Sequence, residues 1–374
     1  MRSSRLGDYI EPVEGRNTDL HYGIDNVRGI SIKKCFIPTK ADMDGVALNR
    51  YLIISPGDFC YVTVTSRNGE KITIAYNDSQ STFICSSSYV GFRIQENKLN
   101  ELMPDFLFIC FNRPEFDRYT RFNSWGSARE TFSWDSMCEM EINLPPLSIQ
   151  QKYVDVYKAL VANQMAYESG LDELKLVCDA SIQRIKEEST VQKLGSLIRK
   201  ENLRNIDNKI HKVMGLSTEK RFREANSRVD RSELSKYKVV SPLEFAFVEI
   251  TDTWKCFAHA MNDLGTRIVV SPIYQVFSVD KTRLNPQYLS AILKRNGFDR
   301  FVRYHSWGSA REVFSYSELA EISIPTPNLE VQKAIAAVFE AYEKRKKIND
   351  KLKKQISEMC PILIKGSNEE AQRG

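Results

Sequence analysis

One heptapeptide occurs twice in this chain. Ser124-Trp125-Gly126-Ser127-Ala128-Arg129-Glu130 recurs 182 residues later as Ser306-Trp307-Gly308-Ser309-Ala310-Arg311-Glu312. The register holds without a gap on both sides. Phe116-Asp117-Arg118 matches Phe298-Asp299-Arg300, Arg121 matches Arg303, and Phe132-Ser133 matches Phe314-Ser315. Pro145, Leu147 and Gln150 match Pro327, Leu329 and Gln332. Nearer the front the match is fainter: Tyr51–Phe59 pairs with Tyr237–Phe245 at an offset of 186, and Leu6-Gly7 with Leu194-Gly195 at 188. The drift in offset places the length differences in loops. A 374-residue chain written twice in this way folds as two copies of one large unit, about 6–190 and 194–366, rather than as a solenoid of short repeats.

Each copy has two parts. The first carries short β-rich runs, Tyr51–Ile54, Phe59–Thr65, Lys71–Tyr76, Lys238–Val240 and Arg267–Val270, separated by Gly, Pro, Asn and Ser. Asn68-Gly69 between two such runs is a hairpin signal. Short helices are expected over Asp105–Phe111 and Pro286–Lys294, each starting near a proline. The second part differs in character. Ser148–Glu188 holds one Gly and no Pro, and apolar residues recur at steps of three and four, as in Leu160, Leu171, Leu174 and Ile182. Leu329–Ile364 shows the same spacing, as in Tyr342, Ile348, Leu352 and Ile356. Both read as long helices with one narrow apolar seam, the first weakened at Gly170.

A helix with one narrow stripe needs a partner. Glu168–Glu188 carries six acids against three bases, and Glu340–Glu358 four against seven. Opposite net charges favour pairing between the two helices, with Leu160, Leu171, Leu174, Ile182, Tyr342, Leu352 and Ile356 as the pairing residues.

The net charge of +5 is uninformative until it is divided. Residues 199–238 hold twelve Lys/Arg and six Asp/Glu, so that stretch is strongly basic and the remainder close to neutral. The longest apolar runs are short, such as Phe106–Phe111, and Met1–Arg5 leads into Gly7-Asp8 rather than into an apolar signal core. A soluble, cytoplasmic protein without membrane contact is expected. Eight cysteines form no CxxC pair and do not combine with the four histidines at metal-ligand spacing, so buried thiols and no metal site are expected.

Motifs for covalent chemistry are missing. There is no GxxxxGK[ST] loop, no GxGxxG run and no GxSxG elbow. Asn143-Leu144-Pro145-Pro146-Leu147 resembles an amino-methyltransferase signature only superficially, because Leu144 separates the amide from the prolines and no aromatic follows. A proline stop before a helix N-terminus explains it. The chain is expected to be no enzyme and to bind no cofactor.

Leu144-Pro-Pro-Leu-Ser-Ile-Gln150 and Ile324-Pro-Thr-Pro-Asn-Leu-Glu-Val-Gln332 each open a long helix after a β-rich domain. In this the chain resembles the specificity (S) subunit of type I restriction-modification systems, over essentially its whole length. The resemblance implies an α+β fold, with two β-rich target recognition domains in tandem duplication. Two long helices join them, pairing as an antiparallel coiled coil with pseudo-two-fold symmetry. The expected boundaries are 1–147 and 191–328 for the recognition domains, 148–190 and 329–366 for the helices, and 367–374 for a polar tail. It further implies that each domain reads one half of a bipartite double-stranded DNA site, and that two modification (methyltransferase) subunits dock around the helices. Those partners bring S-adenosylmethionine, and a restriction (translocase/nuclease) subunit can join. About forty helical residues give a rod of roughly 60 Å, somewhat under two turns of B-DNA at about 34–36 Å each. A duplicated protein-interaction scaffold that reads no DNA is the alternative.

The duplication itself sorts candidate DNA contacts. Domains that read different half-sites differ where they touch bases, so the identical heptapeptide serves a common job. Trp125 and Trp307 are expected as core or helix-packing anchors, and Gly126 and Gly308 as turn residues. Ser127, Arg129, Ser309 and Arg311 are candidate phosphate donors, unless the arginines pair with Glu130 and Glu312. Base readers belong in divergent segments. Arg67, Asn68 and Lys71 flank the hairpin tip, and Lys220, Arg221, Arg223, Asn226, Arg228 and Arg231 form the densest basic run.

Overall fold

The computed structural model describes residues 3–65, 71–127, 129–225, 233–250, 256–306 and 312–373. Arg67, Asn68, Asn226, Arg228, Arg231, Trp307, Ser309 and Arg311 lie outside the described residues. The chain divides into two units. Unit 1 is 1–166 with 349–374, and unit 2 is 167–348. Each contains one β-rich domain, one portion of the central helical segment and one portion of the last helix.

Unit 1 begins with β1 (Ser3–Arg5) and β2 (Ile10–Pro12), followed by the hairpin of β3 (Arg28–Ile30) and β4 (Phe36–Pro38). Next come β5 (Leu52–Ile54), β6 (Phe59–Val62), β7 (Ile74–Tyr76), β8 (Phe83–Cys85) and β9 (Tyr89–Ile94). Among the described residues, β2, β9, β6 and β7 form an antiparallel sheet in that order, with β5–β8 as a separate ladder. Helices α1 (Pro104–Phe111) and α2 (Pro114–Phe122) each begin on the proline that their fixed φ favours. A two-residue hairpin follows, β10 (Ser124–Trp125) with β11 (Thr131–Phe132). After α3 (Trp134–Cys138), β12 (Glu141–Asn143) returns to pair with β1. The core is aromatic: the Phe59 ring stacks on Tyr76 at 4.7 Å and on Phe92 at 5.0 Å.

The central segment is helical as expected but divided. Helix α4 (Leu147–Glu168) and α5 (Leu171–Glu188) are separated by Ser169 and Gly170, the latter in the left-handed conformation at φ +76°.

Unit 2 repeats the plan. Strand β13 (Val191–Lys193) pairs with β22 (Ser323–Pro325), as β1 does with β12. Its four-stranded sheet has the order β14 (Ile198–Glu201), β21 (Gln275–Val279), β18 (Phe245–Phe247), β19 (His259–Met261). Strands β15 (Met214–Leu216) and β16 (Phe222–Glu224) make the small hairpin, and β17 (Lys238–Val240) with β20 (Ile268–Val270) the side ladder. Phe245 stacks on Phe277 at 4.9 Å, in the place of Phe59 on Phe92. Helices α6 (Pro286–Leu293), α7 (Asn296–Tyr304) and α8 (Tyr316–Glu321) correspond to α1, α2 and α3.

Helix α9 (Leu329–Arg373) has 45 residues and belongs in part to each unit. It runs past the expected end at 366, and the residues expected as a polar tail are helical through Arg373. The reason is contact: Glu370 holds Lys152 at 2.9 Å and accepts from Tyr153 at 3.1 Å. In unit 1, Val154 of α4 shares a buried core with Cys360, Leu363 and Ile364 of α9, and buried Gln164 donates to Asn349 at 2.7 Å. In unit 2, Cys178, Ile182 and Ile185 of α5 pack with Ile335, Ala336 and Phe339, with Tyr342 against them, and Arg345 donates to the Tyr167 carbonyl. Within each unit rising numbers on one helix meet falling numbers on the other, so the pairing is antiparallel. Leu160, Leu171, Leu174, Leu352 and Ile356 are half-buried. Among the described residues no helix is long and apolar enough to cross a membrane. Cys60, Cys85, Cys110, Cys178 and Cys360 are buried thiols, whereas Cys35 is exposed.

Two polar devices recur in both units. Gln150 is fully buried at the head of α4; its Nε2 donates to the Glu101 and Pro145 carbonyls at 2.7 and 2.8 Å, and its Oε1 accepts from the Met103 amide at 2.9 Å. Gln332 at the head of α9 repeats this with the Arg283 and Pro327 carbonyls and the Asn285 amide, at 3.0, 2.8 and 2.7 Å. The second device is an inward lysine. Lys34 between β3 and β4 meets Asp117 at 2.8 Å and donates to the Phe111 carbonyl. Lys220 between β15 and β16 meets Asp299 at 2.8 Å and donates to the Leu293 carbonyl at 3.1 Å. Both lysines have φ +59°, a costly conformation for a residue with a Cβ, held here by the buried charge pair. Burial pushes the Lys34 ammonium below its ordinary value, and Asp117 opposes that.

Replacing Gln150 or Gln332 by Leu leaves three backbone groups unpaired and should cost roughly 3 kcal/mol. Lys34→Met and Lys220→Met should cost a similar ~3 kcal/mol by stranding Asp117 or Asp299. Thermal unfolding of the four variants checks both, and limited proteolysis should show unit 1 failing first for positions 34 and 150 and unit 2 for 220 and 332. A pH effect follows from His259. Burial, then Lys220, holds its imidazole down at about 3 while Nδ1–H donates to the Phe257 carbonyl at 2.9 Å. Above pH 6.5 folded and unfolded forms are both neutral there, so His259 has no effect. As pH falls below that value only the unfolded chain takes the proton, and stability drops by up to about 1.4 kcal/mol per pH unit. His259→Phe should flatten that acid-side slope in urea titrations at pH 4–7.

Candidate nucleic-acid interface

The repeated heptapeptide builds the β10–β11 hairpin. Ser124 pairs with Phe132 and Trp125 with Thr131, leaving the turn over residues 126–130. Gly126 has φ +142°, and a Cβ there would lie 2.2 Å from the Arg129 carbonyl oxygen, so glycine alone allows the turn to close. The hairpin is docked on the strand that leaves the main sheet. The Thr65 amide donates to the Glu130 carbonyl at 3.0 Å, the Phe132 amide to Thr63 at 2.8 Å, and Val64 bridges Thr131. In sequence these residues follow β6 and precede the divergent positions 66–70, which lie outside the described residues, with Lys71 and β7 after them. The hairpin of identical residues is therefore docked beside the point in the chain where the divergent positions begin.

Unit 2 repeats the docking. The Phe314 amide donates to the Glu249 carbonyl at 2.7 Å and Ile250 bridges Val313, beyond the hydrogen-bonded β18–β19 pair.

Ser127 and Arg129 are exposed in the turn, and Lys71 is exposed at the foot of the neighbouring hairpin. Glu130 pairs with Arg121 of α2, not with Arg129, so the expected competitor for Arg129 is already engaged elsewhere. Arg223 is exposed on β16 and donates to the Leu216 carbonyl at 3.3 Å.

Three expectations are corrected. Lys220 is buried against Asp299 and the Leu293 carbonyl, so its ammonium is satisfied inside the domain. Arg221 turns toward α9, where Glu343 lies 3.5 Å from its guanidinium and 2.9 Å from Lys294. Local charge density predicts outward side chains; the turn between β15 and β16 instead buries Lys220 and sets the partly exposed Arg221 against Glu343. Trp125 is no core anchor: its side chain is 70% exposed.

Exposure of aromatics here is the feature that sequence reasoning missed. Phe122, at the end of α2, is 77% exposed, and Tyr304, at the end of α7, is 80% exposed. The 182-residue offset that aligns the heptapeptides also aligns Phe122 with Tyr304, and that was the available signal.

The family model for the type I restriction modification DNA specificity domain matches residues 54–175 and 261–358. Among solved structures the chain is similar to the type I restriction-modification S subunit from M. genitalium. That match has a TM-score of 0.63 at 8% identity, over 98% of this chain and 95% of the other, and it shows a common fold. The HsdS subunit from Thermoanaerobacter tengcongensis aligns over 98% of this chain and 96% of its own at 14% identity, with a TM-score of 0.36. A chain from a structure on complex assembly and conformational transition of the type I R-M system aligns over 98% and 97% at 14% identity, with a TM-score of 0.41. No curated protein matches the chain. The two stretches matched by the family model take in more than half of the sequence, and with the duplicated fold they make this chain a member of the type I restriction modification DNA specificity family, a non-catalytic specificity component.

Proposed function

We propose that each β-rich domain reads one half of a bipartite site in double-stranded DNA, with the paired helices setting the gap between the halves. One observation carries this reading: in unit 1 the hairpin with exposed Ser127 and Arg129 is hydrogen-bonded to the strand that leads into the divergent 66–70 segment. Such a surface combines donors common to both domains, suited to phosphate, with side chains free to differ, suited to base edges. Arg67, Asn68 and Lys71 are the proposed readers of the first half-site. Asn226, Arg228 and Arg231, with Arg223, are the proposed readers of the second, and Ser309 and Arg311 take the roles of Ser127 and Arg129.

Two methyltransferase subunits are proposed to dock on the helices and to bring S-adenosylmethionine, with a restriction subunit as a further partner. Exposed apolar side chains support docking: Val156 and Met165 on α4, Leu176 and Val177 on α5, Ile348 and Ile362 on α9. Helix α9, at 45 residues, is about 68 Å long, close to two turns of duplex.

Two experiments test the reading on the complex assembled with its methyltransferase subunits. Arg129→Ala should weaken binding about equally on every sequence and reduce the salt dependence by about one phosphate contact. An unchanged slope would remove Arg129 from the phosphate contacts. Adding one helical turn of four residues at Gly170 and four after Ile348 lengthens the pair by about 6 Å. The preferred gap should then grow by one or two base pairs at about 3.4 Å each, as read by mapping methylated positions; an unchanged gap would sink the spacer role.

A further inference from the structure

We infer that each domain carries a preorganised aromatic element, Phe122 with Trp125 in unit 1 and Tyr304 in unit 2, that stacks on the bases of bound DNA irrespective of sequence. The inference rests on the DNA-specificity reading and adds a contact of a different kind to it.

Burying such rings is the ordinary outcome, because an exposed indole or phenyl group forgoes about 1.5–3 kcal/mol or more of transfer free energy. Two diverged copies nevertheless keep a large ring outside at the same position. Phe122 and Tyr304 have changed identity between the copies while keeping ring and exposure, which is what selection for a π-face, rather than for a particular hydrogen bond, produces.

The backbone at the mounting is tied by hydrogen bonds in both copies. The Ser124 hydroxyl donates to the Thr120 carbonyl at 2.6 Å and the Asn123 amide to Tyr119 at 2.9 Å, fixing the end of α2 next to Phe122. Arg121 clips the same helix end to Glu130 across the hairpin, and the Thr131 hydroxyl holds the Trp125 carbonyl at 3.3 Å. In unit 2 the Ser306 hydroxyl donates to the Val302 carbonyl at 2.7 Å. These bonds fix the backbone that carries the rings, which lowers the ordering cost of a contact there.

The surroundings select nucleic acid over a protein partner. Ser127 and Arg129 are exposed in the hairpin that carries Trp125; on the helices that end in Phe122 and Tyr304, Arg118 and Arg121 are exposed and paired with Glu115 and Glu130, and Arg300 and Arg303 are exposed. Glu130 is already paired. Exposed rings beside arginines, with Tyr304 edge-on to His305 at 5.1 Å, make a stacking platform for bases, whereas the core of a protein interface is a continuous apolar patch depleted in charge. Because these contacts are common to both domains, they add affinity and bend or unstack the duplex without choosing its sequence.

The test uses the chain assembled with its methyltransferase subunits and two duplexes, one with the methylated site and one of random sequence. Trp125→Ala, Phe122→Ala and Tyr304→Ala should each weaken binding to both duplexes by roughly tenfold, with no change in salt slope because no charge is removed. Trp125→Phe should restore most of the loss. DNA should quench tryptophan fluorescence in the parent complex, and part of that quenching should vanish in Trp125→Ala. Unchanged affinity and quenching would overturn the stacking element. Loss of assembly in DNA-free solution would also overturn it, by assigning the rings to a protein contact. A parent complex that binds both duplexes equally would instead overturn the specificity reading, and the ring variants would still report stacking on random DNA.

Discussion

A single buried amide fixes where each long helix leaves its domain. Gln150 and Gln332 use both donors and one acceptor position of the side chain on three backbone groups that come from two separate loops. A glutamine reaches these groups because it is one turn inside the helix, while the proline segment before it supplies one of the carbonyls. The helix is thereby locked to the loop that begins α1 or α6, and through that helix to the aromatic core. Any surface carried by the domain inherits its orientation from that lock. The Pro-x-Leu-x-x-Gln pattern thus has a mechanical meaning: stop, enter the helix, and bolt it to the domain.

Much of this was legible from the duplication. The offset of 182 placed the second copy of every helix, and the alternation of Gly- and Pro-rich breaks with β-branched runs located the strands around Leu52, Phe59 and Lys238. Strand order was not legible, because most of the strands have four residues or fewer, too short to show which face is buried. The extension of α9 to Arg373 was missed for a related reason: residues 367–373 look polar, and their helix is held by contacts to Lys152 and Tyr153, more than two hundred positions earlier.

The candidate surface shows where local reading fails. Lys220 and Arg221 stand in the densest basic run, and charge density does not report exposure. Pairing by offset tells a different story. Lys34 aligns with Lys220 and Asp117 with Asp299, a cation and an anion retained together through divergence, which is the mark of a buried pair. Trp125 departs in the opposite direction: a repeated tryptophan predicts a core or helix-packing anchor, whereas the hairpin it belongs to has its apolar side filled by Phe132, which is fully buried. In both cases the identity of the residue misled and its relation to its copy did not.

The division of α9 has a consequence for how the chain comes off the ribosome. Unit 2 is one continuous stretch, 167–348, and has all its segments once that stretch is made. Unit 1 begins first yet finishes last, because Cys360, Leu363 and Ile364 complete a core whose other members include Leu6 and Phe59. Its loop closure spans almost the whole chain, which is the slow kind of contact to form. During synthesis the first domain must wait with part of its apolar face open while the second folds behind it, and a truncation ahead of Cys360 injures the domain that was made first.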